Sequence, residues 1–127
     1  MKQATANCPA KVSRSKKFDV RKLELVPILK RGEAPVSVKE AVHRGRENPA
    51  TNWGKREMEQ IWAVRESIPI SVWRVGKYVL FTKRVWRRRY GHRYVWCVDR
   101  DASGWSRGCC WLGGDVDAGG MLPSLRK

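Results

Sequence analysis

The stretch Val72–Arg100, VWRVGKYVLFTKRVWRRRYGHRYVWCVDR, limits what this chain can fold into more than any other. It holds three of the seven tryptophans and all three tyrosines, with nine Lys/Arg against the single acid Asp99. Two runs rich in β-branched and aromatic residues, Lys77–Arg87 and His92–Val98, flank Arg-Arg-Tyr-Gly, and Gly91 takes a positive φ without steric cost. This predicts a β-hairpin. Of its two plausible registers, the three-residue loop is preferred. It sets Arg88 opposite His92, Trp86 opposite Tyr94 and Val85 opposite Val95, matching aromatic with aromatic and β-branched with β-branched.

In that register strict alternation predicts one face carrying Tyr78, Leu80, Arg84, Trp86, Arg88, His92, Tyr94 and Trp96. The other carries Val79, Phe81, Lys83, Val85, Arg87, Arg93, Val95 and Cys97. Arg87 then faces Arg93, a repulsion that a bound phosphate or plain solvation relieves.

The charge balance narrows the function class. The 127 residues hold 27 Lys+Arg and 12 Asp+Glu, a net charge of +15. That surplus suits a polyanion: nucleic acid first, an acidic protein surface second, an anionic membrane third. It sits in two blocks, residues 71–100 and the leader, where residues 1–24 carry seven bases and two acids. Residues 1–17 have no periodicity and predict a disordered basic arm, with Lys11, Arg14, Lys16 and Lys17 placed to follow a phosphate backbone. No apolar run approaches the ~20 residues of a spanning helix. The leader also lacks the apolar centre of a secretory signal. With four cysteines, the chain is expected in a reducing, cytoplasmic compartment with free thiols.

Outside the hairpin the pattern predicts an edge strand over Phe18–Val26, closed by Pro27, and a turn through Gly32. A short helix Val38–Arg44 follows, capped by Ser37 with Glu40 and stopped at Gly45. The main helix is Trp53–Ser67, capped by Thr51 or Asn52, with Met58, Ile61, Trp62, Val64 and Ile68 on its apolar face. Its acids Glu57, Glu59 and Glu66 argue against a DNA-reading helix. Ile70–Val75 reads as a strand, Asp101–Gly104 as a turn and Trp105–Leu112 as a last short strand. Residues 113–120 read as loose and 121–127 as a lightly packed tail. The expected whole is one α+β domain over 18–120, a mostly antiparallel sheet with the basic hairpin at its centre and one main helix packed on it.

Reactive chemistry is thinly represented. His92, Cys97, Cys109 and Cys110 lack the paired-cysteine knuckle of a structural zinc site. Glu57 with Glu59, and Asp115 with Asp117, lack a setting that would shift a pKa, and no phosphate-cradling glycine loop is present. The expectation is therefore a protein that is not an enzyme and holds no metal or cofactor. It binds DNA or RNA through Lys83, Arg84, Trp86, Arg87, Arg88, Arg89, Tyr90, Arg93 and Tyr94 together with the arm. The alternative is a small inhibitor or assembly factor that docks on an acidic protein or a nucleoprotein complex.

Overall fold

The structure, a computed structural model, describes residues 19–88 and 90–126. The basic arm and Arg89 lie outside the described residues. The strands are β1 (Leu23–Pro27), β2 (Val36–Ser37), β3 (Tyr78–Arg87), β4 (Arg93–Asp101), β5 (Gly104–Trp111), β6 (Asp115–Val116) and β7 (Gly120–Leu125). The helices are α1 (Val38–Arg46) and α2 (Lys55–Ala63). The fold is α+β: a five-stranded sheet in the order β1-β7-β3-β4-β5, antiparallel except where β7 meets β3, with β2 and β6 forming a separate two-stranded ribbon.

Alternation along β3 and β4 sends apolar residues to both sides, so both sides must be covered. Val79, Phe81 and Val98 pack with Met58 and Ile61 of α2, together with Leu23, Trp73 and Met121. Leu80 and Val95 pack on the other face with Val38, Ala41 and Val42 of α1 and with Leu112, Val116 and Leu122. A helix therefore closes each face. The hairpin strands lie in the middle of the sheet.

α1 begins as its sequence signals, with the Ser37 hydroxyl accepting from the Glu40 N–H at 3.0 Å. It does not stop at Gly45 but runs through it to Arg46. Gly45 is buried against the fully buried Thr82, and a Cβ there would come within 2.6 Å of the Thr82 methyl. The glycine lets helix and strand approach.

Other expectations are corrected too. The main helix is shorter than Trp53–Ser67: it starts after Gly54 and gives way at Val64 to a 3-10 turn, Arg65–Ser67. Its expected caps are engaged elsewhere, Thr51 donating to the Gly45 carbonyl at 3.0 Å and Asn52 accepting from the Thr82 hydroxyl at 3.0 Å. Ile70–Val75 is not a strand but a run of turns in which the Val72 and Trp73 N–H groups both reach the Pro69 carbonyl. Only Trp73 is buried there; Ile70 and Val75 stand in water.

At the N-terminal end, Asp19 caps a 3-10 turn over Val20–Lys22, and the strand starts at Leu23 rather than Phe18. Pro27 does end it on the sheet edge. The largest difference is at the other end. Residues 113–126 are neither loose nor a tail, because Asp115–Val116 pairs with β2 and β7 lies between β1 and β3 with Met121–Ser124 buried. β7 pairs with β3 only through Gly120 and Met121, so Pro123, which has no N–H to give, sits beyond that ladder.

Candidate nucleic-acid interface

The hairpin end closes with the three-residue loop. Gly91 has φ 85°, its N–H donates to the Arg88 carbonyl at 2.9 Å, and the Arg88 N–H donates to the His92 carbonyl at 2.9 Å. Trp86 pairs with Tyr94 and Arg87 with Arg93.

Farther from the tip the register slips. Phe81 pairs with Trp96, so Thr82–Val85 of β3 face only Val95 of β4. This large bulge is held from outside the hairpin. The Lys83 N–H donates to the Trp53 carbonyl at 3.0 Å, and the Arg46 guanidinium donates to the Thr82 carbonyl at 2.8 Å and the Lys83 carbonyl at 3.3 Å. An odd slip exchanges the faces. Val79 and Phe81 therefore share the α2 face with Trp86, Tyr94, Trp96 and Val98, not the face of Val95 and Cys97 as uniform alternation predicted, and Val85 does not pair with Val95.

Lys83, Arg84, Arg87, Arg88, Tyr90 and Arg93 are all exposed. Their side chains divide between the sheet's faces, with Arg88 on the α2 side and Arg87 opposite Arg93 on the α1 side. Among the described residues none of these five cations joins an ion pair, whereas Arg44, in α1, is held by Glu33 at 2.6 Å and Glu40 at 2.9 Å. That bond to Arg44, with the Lys30 N–H behind it, holds the Glu33 carboxyl down at about 2.

The bulge also carries Lys83 and Arg84 to the start of α2. An open cleft of about 480 Å³ there is lined by Gly54, Lys55, Arg56, Glu57, Lys83 and Arg84. Its one carboxylate, Glu57, accepts from the Gly54 N–H at 2.7 Å. Lys55 and Arg56 escaped the sequence reading because only the bulge brings them beside β3.

The aromatic rings form a row on the α2 face. Trp86 stacks on Tyr94 at 5.3 Å and on Trp96 at 5.4 Å between centroids. Arg88 lies 5.0 Å from the Tyr94 centroid and 5.6 Å from that of Trp86, and Lys55 lies 5.4 Å from that of Trp96. All three rings are half-buried. The buried Trp86 Nε1 has no hydrogen-bond partner among the described residues. Trp111, opposite Tyr94 on β5, extends the row and keeps 49% of its surface in water. Nothing in the local pattern marked Trp111, since only strand pairing places it beside the hairpin. Tyr90, at the tip, is 82% exposed.

The groups considered for chemistry are dispersed. Cys97 and Cys110 lie on the α1 face, where their mutual hydrogen bond is the leading influence on both, raising the Cys97 thiol with burial adding to the rise and lowering that of Cys110. Cys109 points to the other face, 4.0 Å from an Arg88 nitrogen. No group of three or more potential metal ligands gathers among the described residues. Asp117 is occupied by the Tyr78 hydroxyl at 3.0 Å and the Gly119 N–H at 2.9 Å, and burial leads in pushing Tyr78 up to about 12. His43 of α1 bridges to Glu47, just past the helix end, at 3.2 Å with both side chains exposed, while His92 meets the Trp111 ring edge-on at 5.8 Å. No described helix is long and apolar enough to cross a membrane. Comparison with family models, curated proteins and solved structures returns no match.

Proposed function

We propose that the protein binds nucleic acid without catalysis, through the exposed end of the β3–β4 hairpin and the neighbouring cleft. The observation that carries this reading is that Lys83, Arg84, Arg87, Arg88 and Arg93, spread over both faces of the outer part of the hairpin, are exposed and without ion pairs among the described residues. A domain gains no stability from gathering like charges, and Arg87 opposite Arg93 costs some. A phosphate backbone removes that repulsion and adds the entropy of released counterions. Lys55 and Arg56 widen the same positive surface.

Electrophoretic shift with labelled DNA and RNA at two salt concentrations tests the reading. Binding is expected to fall steeply with salt. Replacing Arg84, Arg87 and Arg93 together by Ala, with the fold checked by circular dichroism, should flatten the slope of log K against log salt by about 2–3, at ~0.7–0.9 per lost phosphate contact. Absence of any complex at low salt would count against nucleic acid and leave an acidic protein surface as the partner.

A further inference from the structure

We infer that the natural ligand is single-stranded, its unpaired bases stacking on the α2-side aromatic row at Trp111, Tyr94 and Trp86. This rests on the nucleic-acid reading above and narrows it. Cations alone would serve a duplex, whose stacked bases have no use for exposed rings. The row exceeds that need. Among the described residues the rings on the α2 side are only part-covered, with Trp111 the most exposed of them.

Trp111 is also held in place. Its indole lies over Gly113, where a Cβ would come within 2.5 Å of the ring, and His92 meets it edge-on. A tryptophan wedged in position yet half in water fits a fixed platform for a planar ligand. The charge on this face complements the choice. Arg88 roofs Tyr94 and Trp86, and, being exposed, it swings aside to let a base onto the ring while its guanidinium reaches the adjoining phosphate. Lys55 stands at the other end of the row over Trp96, continuing the track.

The test measures fluorescence anisotropy with a twelve-nucleotide single strand, as DNA and as RNA, and with the twelve-base-pair duplex, at two salt concentrations. The wild-type protein should hold either single strand more tightly than the duplex, with its tryptophan emission quenched on binding. Trp111→Ala should weaken single-strand binding roughly 5- to 150-fold. It should leave the salt slope and the duplex affinity unchanged, and Trp111→Phe should retain most of the affinity. Duplex bound as tightly as single strand, with Trp111→Ala without effect, would overturn the stacking assignment and leave polyanion binding standing. No binding of any strand at low salt would overturn both.

Discussion

Replacing Gly45 by Ala puts a number on the contact that seats the hairpin on α1. If Gly45 were an ordinary position within α1 with nothing packed against it, Ala would stabilise the chain by about 1 kcal/mol, the difference in helix propensity. The structure leads to the opposite sign. The new Cβ would lie 2.6 Å from the Thr82 methyl and 2.9 Å from the Thr82 Cβ, against an ordinary carbon–carbon separation of ~3.5–4.0 Å. Helix and strand would have to part by about 1 Å. Thr82 is fully buried and its hydroxyl is tied to Asn52, while Arg46 and Trp53 grip the strand on either side. Overpacking of this kind costs ~1–3 kcal/mol. With little room to yield, the upper half of that range applies, and after the propensity gain the net loss is about 1–2 kcal/mol. Urea unfolding followed by tryptophan fluorescence and circular dichroism measures it. Repeating G45A in a Thr82→Ala background removes the methyl and hydroxyl and leaves only the Cβ contact at 2.9 Å, so the substitution there should cost clearly less than in the wild-type chain. The coupling between the two sites should be ~1–3 kcal/mol. Stabilisation by G45A in the wild-type chain, or equal effects in both backgrounds, would refute the reasoning.

Two further outcomes follow from the fold. Glu33 has its carboxyl held at about 2 in the folded state by Arg44 and the Lys30 N–H, against ~4.3 in an unfolded chain. The contribution of this group is therefore complete above about pH 4.3 and lost as the pH falls towards 2. Glu33→Gln should be less stable than wild type at pH 7, and the gap should close across that window in an acid titration followed by circular dichroism. A gap that persists at pH 2 would contradict the assignment. Leu122→Ala, in the buried stretch of β7, should cost about 2–4 kcal/mol in urea unfolding, where a lightly packed tail would lose almost nothing.

Legibility in the sequence tracks the distance over which each choice is made. The hairpin loop and the pairing of Trp86 with Tyr94 depend on residues within a few positions of Gly91, and the pattern displays them. The faces of β3 depend on Arg46 and Trp53 pulling at Thr82–Lys83, and no local alternation records that. β7 is the extreme case. Its glycines and Pro123 disguise a strand whose main partner, β1, comes from the opposite end of the domain. At the candidate site, Lys83, Arg84, Arg87, Arg88, Tyr90 and Arg93 could be named from sequence because they are contiguous with the turn. Lys55, Arg56 and Trp111 could not, since the bulge or a neighbouring strand brings them there. Ile70–Val75 misled for a different reason: its β-branched residues suit a strand, but Pro69 and the burial of Trp73 settle it as a chain of turns.

The position of β7 also sets a timetable. Among the described residues β1 pairs with no strand of the sheet but β7, so during synthesis β1 waits for its partner until β7, nearly a hundred residues later, has left the ribosome. Through that interval β1 lacks its pairing strand, and the body it will join is missing an interior plank. Such a chain cannot consolidate from its leading end as it emerges. It closes late and all at once, when the last strand slides in between the first and the hairpin.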